Sequence, residues 1–357
     1  MPLLNGYSTK RINFQPVVKG SRLMAKISVF KIVDVGSIPT FLVNNMLNLL
    51  MSNVSNSVID WTSLKPTSKQ VKKQAHPFHL VDPSPLPFVV SMALGSVLCM
   101  TAFFLHEWPG VDSLGLATLA YLNGKPYYGL YWGFVMLLVS IIVVWGLHIS
   151  DEATYEGHHT KMVQNGLRFG MILFITSEVM FFFAFFWAFF HSSIAPAVSI
   201  GAVWPPKGIE TLNPLHLPLA NTVILLSSGV ATVWAHRALI AGYKDQAMTS
   251  LIVACTYGLL FSWLQFLEYG LAGFAINDGI YGSVFYMATG FHGFHVIVGT
   301  CLLVFSYWRL TADHFSRERH LGFETAAWYW HFVDVVWLFL YVAIYWWGSS
   351  AVVDYLV

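Results

Sequence analysis

Residues 167–196 read LRFGMILFITSEVMFFFAFFWAFFHSSIAP, and this stretch decides the fold. Between Arg168 and His191 it is apolar except for Thr176, Ser177 and Glu178. As a helix, residues 170–190 are long enough to cross a bilayer core of about 30 Å. Eight of the twelve residues after Glu178 are Phe or Trp, on all sides of the helix, which is typical of a membrane span. The stretch therefore predicts a transmembrane helix with a carboxyl group near its middle.

The composition of the whole chain also indicates an integral membrane protein. Of its 357 residues, 56% are hydrophobic and only 10% are charged, whereas soluble domains carry about 25% charged residues. The three cysteines, Cys99, Cys255 and Cys301, lie far apart inside apolar runs. They have neither metal-type nor disulfide-type spacing, so we interpret them as small packing residues.

Seven apolar stretches follow residue 87, each long enough to span a membrane. In lipid, every backbone polar group must bond within its own segment, so the stretches predict helices, and they are too long for barrel strands. We therefore predict an all-α integral membrane protein with seven transmembrane helices. The stretches are residues 88–105, 128–147, 170–190, 217–236, 247–267, 280–308 and 326–347.

Basic residues are distributed unevenly over the two sides of this predicted bundle. Seventeen Lys and Arg lie in the N-terminal tail and in the connections after the second, fourth and sixth spans, against two in the opposite loops. We call the first side the positive side; it faces the cytoplasm or the mitochondrial matrix, and the C-terminus faces outward. Residues 1–75 are basic and poor in acids, which is consistent with either a transit segment or a tail that stays on the protein.

Glu178 is the first candidate for chemistry, because an ionised carboxylate at mid-bilayer costs at least a few kcal/mol. It either handles protons or is a protonated structural clasp between helices. His292 and His295 lie at i and i+3 near the middle of the sixth span, on one helix face. A metal site would need further ligands at matching depth, and the flanking Gly290 and Gly293 suggest close helix packing instead. We predict that one of these histidines, His295 in particular, bonds Glu178.

Two further polar groups remain open in their interpretation. Glu324, His331 and Asp334 lie along one broad stripe of the seventh span and its entry. They either perform acid–base chemistry or contact a partner helix, bonded to one another. The positive-side loops either bind lipid phosphates or carry ordinary positive-inside charge. The loops contain Glu152, Glu156, His158, His159, Lys161, Arg168, Arg309, His314, Arg317, Arg319 and His320.

Several long segments, in order, resemble subunit III of mitochondrial cytochrome c oxidase, from about residue 76 to residue 349. The tail 1–75 and the last eight residues, 350–357, lie outside the resemblance. The segments are HPFHLVDPSP (76–85), EGHHTKMVQNGLRFGMILFITSEVMFFFAFFWAFFHSSIAP (156–196), WPPKGIETLNP (204–214), DGIYGSVFYMATGFHGFHVIVGT (278–300) and GFETAAWYWHFVDVVWLFLYVAIYWWGS (322–349).

The resemblance implies a two-part bundle, with helices one and two separated from helices three to seven by a lipid-filled cleft. It implies no haem, copper or other metal in this chain and no catalytic residue. Glu178 matches the carbodiimide-reactive glutamate of the family. Lipid head groups in the family are held at positions that match Glu152, His159, Arg168, Arg309, His314 and His320. One departure is Trp145–Gly146–Leu147–His148, where the family often has Trp-Trp-Arg-Asp.

The function implied by the resemblance is that of an accessory subunit, part of an oxidoreductase complex but without its own catalytic centre. It packs on the haem–copper subunit I and other subunits of complex IV in the mitochondrial inner membrane, with the N-terminus on the matrix side. It holds phospholipids, supports proton uptake and turnover, and does not bind nucleic acid. The alternatives are an intrinsic proton or ion channel that uses Glu178, and a haem-binding redox subunit that uses the histidines.

Overall fold

The structure, a computed structural model, describes residues 76–106, 133–137, 139 and 145–349. The predicted tail 1–75, most of the predicted second span and the C-terminal residues 350–357 lie outside the described residues. Regular structure within the described ranges is entirely helical. The helices are α1 (Leu86–His106), α2 (Gly146–Thr154), α3 (Lys161–Ile194), α4 (Leu217–Ala241), α5 (Lys244–Leu271), α6 (Ile280–Thr311) and α7 (Leu321–Leu340), which a π-helical segment (Tyr341–Trp347) continues.

Five of these helices are long and apolar enough to cross a membrane, and they contain the last five predicted spans. They are α3, α4, α5, α6, and α7 together with its π-helical continuation. The first predicted span coincides with α1, whose apolar part is shorter. The chain is thus an all-helical membrane protein, while the count of seven spans stays a prediction.

Most of the helices extend beyond the apolar runs that predicted them, at one end or at both. Helix α3 starts at Lys161, nine residues before its apolar run, because Thr160 caps it by accepting a hydrogen bond from the Val163 amide. It ends just before Ala195 and Pro196, since a residue that precedes proline disfavours the helical conformation. Helix α4 ends at Ala241, and the next residue, Gly242, forms a left-handed cap with a φ of 88°. Charged helix ends thus extend past the lipid-facing part into the interface.

Helices α4 to α7 form a closed ring, in which α4 packs on α5, α5 on α6, α6 on α7 and α7 on α4. Helix α3 packs on the outside of this ring, against α6 and α7. Two tryptophans of α7 occupy the ring interior and bond to α4: Trp330 Nε1 donates to Ser228 Oγ and Trp337 Nε1 to Thr222 Oγ1, both at 2.9 Å. Burial of both indoles with paired N–H groups stabilises the ring.

Close helix contact occurs at glycines other than the predicted ones. Around Gly290 and Gly293 an added Cβ would meet no described atom within 4 Å, so the described residues show no close helix contact there. Instead, Gly258 of α5 and Gly299 of α6 lie against the Trp330 ring, where an added Cβ would approach ring carbons to 2.7 and 2.8 Å. The indole of Trp330 needs these two positions to lack a side chain.

The proline-rich connection between α3 and α4 packs against the ends of the helices opposite the positive side. It contains a short 3-10 helix, Val198–Ile200. The Trp204 ring contacts Phe189 of α3 and Tyr281 of α6, with ring centroids 5.6 and 5.4 Å apart. The loop is therefore ordered by aromatic contacts with neighbouring helices.

Candidate functional site

The carboxyl group near the middle of α3 meets a histidine of α6. Glu178 Oε2 lies 2.9 Å from His295 Nε2, and the other ring nitrogen of His295 lies 2.6 Å from the Phe291 carbonyl oxygen. A carbonyl oxygen only accepts, so Nδ1 carries a proton. Either Glu178 is protonated and donates to Nε2, or the imidazole is doubly protonated and Glu178 is ionised. In both cases the pair holds one shared proton, has no net charge, and links α3 to α6.

Aromatic side chains surround this pair. Phe182 and Phe332 contact the His295 ring edge to face, and Tyr329 stacks on it. The His295 side chain is only 8% exposed, whereas that of Glu178 is 22% exposed. The pair is therefore more accessible at the Glu178 carboxyl group than at the imidazole.

His292 has a different partner, although it shares a helix face with His295. It is 1% exposed, and its Nε2 lies 3.2 Å from the Val333 carbonyl oxygen of α7. Its ring packs against Phe261 and Trp337. Because the two histidines turn to different helices, they do not converge on a common metal position.

The predicted polar stripe of α7 divides between two neighbouring helices. Glu324 bonds Arg168 of α3, whereas Asp334 lies against Gly229 of α4. His331 Nδ1 is 3.4 Å from Asp334 Oδ2, so two of the three stripe residues bond to each other and Glu324 does not join them. The stripe thus serves contacts between helices.

On the positive side, Arg309 and His314 form what we call the head-group cluster, together with Thr154 and Tyr155 at the end of α2. Arg309 is 8% exposed; its Nη2 donates to Thr154 Oγ1 at 3.2 Å, and its guanidinium lies 4.5 Å above the Phe315 ring. His314 Nε2 lies 3.0 Å from the Tyr155 hydroxyl. Arg309 Nε and His314 Nδ1 are buried and have no hydrogen-bond partner within the described chain. Buried polar groups normally have a hydrogen-bond partner, so these two nitrogen atoms are available to bind a ligand.

Glu152 and His159 lie beside this cluster and meet a third residue, His79. The ligand atoms of the three side chains all lie within 4.8 Å of one another, and we call them the His79 triad. Burial lowers the pKa of His159, and the neighbouring charges of His79, Arg309 and His158 lower it further. Burial, with Arg309 as the next cause, also lowers the pKa of His314. Both imidazoles therefore favour the neutral form.

The other two predicted lipid-binding residues, Arg168 and His320, lie in a separate group. Arg168 Nη2 donates to Glu324 Oε2 at 2.9 Å, and its Nε reaches both oxygens at 3.1 and 3.3 Å. His320 Nε2 lies 3.3 Å from His236 Nε2 of α4. The Arg168 charge is thus already paired, whereas the Arg309 guanidinium has no carboxylate partner among the described residues. The six predicted residues therefore form two groups rather than one.

Comparison with known proteins shows to which family this arrangement belongs. Residues 76–349 match the family described as cytochrome c oxidase subunit III.

The chain belongs to the cytochrome c oxidase subunit III family.

Its relatives include proteins named cytochrome c oxidase subunit 3 from algae and plants. The Chondrus crispus protein is 51% identical over 289 residues, which cover 81% of this chain and 100% of the relative. The Prototheca wickerhamii protein is 52% identical over 275 residues, covering 77% and 99%. The Marchantia polymorpha protein is 53% identical over 277 residues, covering 78% and 98%.

In this subunit III, sequence reasoning missed a buried polar network near the end of the ring opposite the positive side. Glu268 of α5 is 1% exposed, and its Oε1 accepts hydrogen bonds from the Tyr345 hydroxyl at 2.5 Å and from Gln265 Nε2 at 3.1 Å. Asn221 of α4 extends the network, with Nδ2 3.5 Å from Gln265 Oε1. Glu268 lies one residue beyond the predicted fifth span, so the search for polar residues within the spans did not single it out. The sequence did contain a signal, because Gln265 and Glu268 lie at i and i+3 and so place an amide and a carboxyl group on one helix face.

Thr154, Tyr155 and His79 were also missed in this subunit III. The predicted second span ended at residue 147, but α2 runs to Thr154. The longer helix brings the Thr154 hydroxyl group to Arg309 and the Tyr155 hydroxyl group to His314. The departure Trp145–Gly146–Leu147–His148 lies at the start of α2, where His148 is exposed. The sequence contains no signal that pairs these residues with Arg309 or His314, which follow them by more than 150 positions.

Proposed function

We propose that this chain is an accessory, non-redox subunit of the respiratory cytochrome c oxidase complex in the mitochondrial inner membrane. It packs on the catalytic haem–copper subunit, holds phospholipid head groups on the positive side, and supports proton uptake during oxygen reduction. The N-terminus faces the matrix and the C-terminus the intermembrane space. Membership of the subunit III family and the names of the relatives support this role.

The observation that carries the lipid part of the proposal is the pair of buried nitrogen atoms without partners in the head-group cluster. Arg309 lies in the last turn of α6, at the depth where phospholipid phosphates lie. A guanidinium binds a phosphate through parallel hydrogen bonds, and the Arg309 Nε is available for one of them. A neutral His314 can donate a further bond to the same oxygen atoms.

The outward face of α3 supports the packing part of the proposal. Met180, Phe183 and Trp187 are each 62% exposed on this face, and the helical period places them on the side of α3 opposite Glu178. Acyl chains in the cleft and the apolar surface of the catalytic subunit are the surroundings that such a face requires. The Arg168–Glu324 ion pair closes the positive-side end of the same helix.

The test compares bound phospholipid in purified oxidase complexes by quantitative mass spectrometry. Arg309→Ala should lose phospholipid, whereas Arg309→Lys should retain part of it, because the charge stays but the parallel hydrogen bonds do not. Arg237→Ala is the matched control, since Arg237 is an exposed positive-side arginine outside the cluster. Equal phospholipid in Arg309→Ala and wild type would remove Arg309 from the lipid site.

A further inference from the structure

A buried carboxyl group belongs to the polar network inside the ring of α4 to α7. We call this group of side chains the Glu268 network; it consists of Asn221, Gln265, Glu268 and Tyr345. All four side chains are buried. The described partners of Glu268 are a phenol and an amide, and no cationic side chain among the described residues bonds it. Neither the lipid part nor the packing part of the proposed function uses this carboxyl group.

Two oxygen atoms of the network are left over. Glu268 Oε2 and Asn221 Oδ1 are buried and have no hydrogen-bond partner within the described chain. They belong to the two side chains that bond the Gln265 amide, whose Nε2 donates to Glu268 Oε1 at 3.1 Å and whose Oε1 lies 3.5 Å from Asn221 Nδ2. Because buried polar atoms normally have a partner, these two atoms require a ligand that bonds them.

The position of Glu268 favours a protonated carboxyl group. An ionised carboxylate that is buried without a cation is costly, and such a group becomes neutral instead. Glu268 also lies in the last turn of α5, where the negative end of the helix dipole disfavours a further negative charge. Glu178 differs, because its imidazole partner can take its proton. The phenol and amide groups around Glu268 offer no comparable base near neutral pH.

Protonation makes the two oxygen atoms complementary through water. The Oε2 hydroxyl of Glu268 becomes a donor while Asn221 Oδ1 stays an acceptor, and a water molecule both accepts and donates. We propose that Glu268 is protonated and binds one water molecule, which in turn donates to Asn221 Oδ1. The hydrogen bonds then form a closed cycle from Glu268 to water, Asn221, Gln265 and back to Glu268. Every member of the cycle donates and accepts, so each bond strengthens the next.

A metal cation fits the same position less well than water. Calcium takes about 6–8 oxygen ligands, and magnesium requires a near-ideal octahedron. In the described part of the network only two oxygen atoms are unengaged, because Glu268 Oε1 and Gln265 Oε1 already accept hydrogen bonds. A buried water molecule makes about 2–4 hydrogen bonds to polar groups that otherwise lack a partner, and the two atoms meet this requirement.

The cycle joins three elements at the end of the ring opposite the positive side. Asn221 lies near the start of α4, Glu268 near the end of α5, and Tyr345 in the π-helical segment that continues α7. The Tyr345 hydroxyl donates to Glu268 Oε1 at 2.5 Å, so this segment is bonded to the carboxyl group directly. Protonated Glu268 and its water molecule thus fix the end of α7 to α4 and α5 without a buried charge.

Infrared difference spectroscopy of the purified oxidase complex tests the protonation. The carbonyl stretch of a protonated carboxylic acid is separate from the bands of a carboxylate. The spectrum of wild type minus Glu268→Gln, recorded near neutral pH, should contain one band of a protonated acid. Glu210→Gln is the matched control, because Glu210 is an exposed acid close to Gly273, which follows α5 at the same end. This control should remove no such band.

Cryo-electron microscopy of the same complex, at a resolution that shows water, tests the ligand. One density peak should lie within hydrogen-bond distance of Glu268 Oε2 and Asn221 Oδ1. Asn221→Leu should remove this peak, because it deletes the acceptor. In the infrared spectrum the same variant should move the acid band to higher frequency, since the Glu268 hydroxyl loses its partner.

Melting temperatures of the complex separate a protonated acid from a cation site. Glu268→Gln should stay close to wild type, because its amide supplies a donor and an acceptor as the protonated carboxyl group does. Glu268→Ala should melt at a lower temperature, because it leaves unpaired groups in the network. Replacement of Na⁺ by choline in the buffer should leave the melting temperature of the wild type unchanged.

Three results would overturn the proposal. They are carboxylate bands in place of the acid band of Glu268, a map without density between the two oxygen atoms, and a wild-type melting temperature that depends on Na⁺ and loses this dependence in Glu268→Gln. The last result would assign the site to a cation. The inference and the lipid proposal fail independently, because none of these measurements counts phospholipid and the network contains no residue of the head-group cluster.

Discussion

Glu178 of α3 and His295 of α6 are joined near the middle of their helices by a 2.9 Å contact between Oε2 and Nε2. The other imidazole nitrogen is bound to the Phe291 carbonyl oxygen, so only Nε2 faces the carboxyl group. Two states satisfy this geometry: a hydrogen bond from protonated Glu178 to neutral His295, and an ion pair between ionised Glu178 and doubly protonated His295. The first prediction distinguishes them.

Glu178→Gln should leave assembly of the complex nearly intact, because the Gln amide can donate to His295 Nε2 as a protonated carboxyl does. Glu178→Ala should lower the free energy of unfolding by about 1–3 kcal/mol, since it leaves a void and an unpaired imidazole nitrogen. Thermal unfolding and subunit content of the purified complex are the measurements. If Glu178→Gln is as damaging as Glu178→Ala, an ionised carboxylate is structurally required.

Gly299→Ala should destabilise the bundle, because its Cβ would lie 2.8 Å from Trp330 Cε3 in a core without room to shift. Overpacking of this kind costs about 1–3 kcal/mol. Gly290→Ala is the control on the same helix, where an added Cβ has open space in the chain and alanine favours the helix. Melting temperatures of both variants within the complex test the difference. Equal effects would show that Trp330 does not set the α6–α7 spacing.

Stability should decline below neutral pH, in part through His314. Burial lowers its pKa in the folded protein from the ordinary value of 6.5, so the unfolded chain binds more protons between the two values. Stability therefore rises with pH in that window and is lost as the pH falls from 6.5 through the folded-state pKa. Melting temperatures between about pH 5 and 8, near the histidine range, should show a shallower slope for His314→Gln. An unchanged slope would exclude His314 as a contributor.

Depletion of this subunit should leave the initial rate of electron transfer in the oxidase largely intact, while proton uptake slows and activity declines during turnover. Slower proton supply prolongs reactive intermediates at the partner's metal centre, and lost phospholipid loosens the partner's packing. Oxygen consumption over many turnovers, with and without the subunit, measures the decline. A depleted enzyme that starts fast and never loses activity contradicts the protective role.

The sequence by itself determined the membrane character, the helical class and the positions of the last five spans, because apolarity is a local property of consecutive residues. It also supported the partnership of Glu178 with His295, since both lie near the middle of their spans and each needs a polar partner there. The helix ends were set further out, at Thr160 and Gly242, by capping that the apolar runs do not reveal.

Only the tertiary structure decided which polar groups meet. Arg168 lies 156 residues from Glu324, and the choice of partner depends on how each helix is rotated about its axis and where it ends. The same holds for the glycines: Gly299 rather than Gly290 faces Trp330, although both lie on α6. The His79 triad joins three chain segments that no sequence spacing relates. The rotation of each helix about its axis and the angles at which helices cross follow from the packing of all their side chains together. The pattern of apolar and polar residues along the sequence does not contain this information.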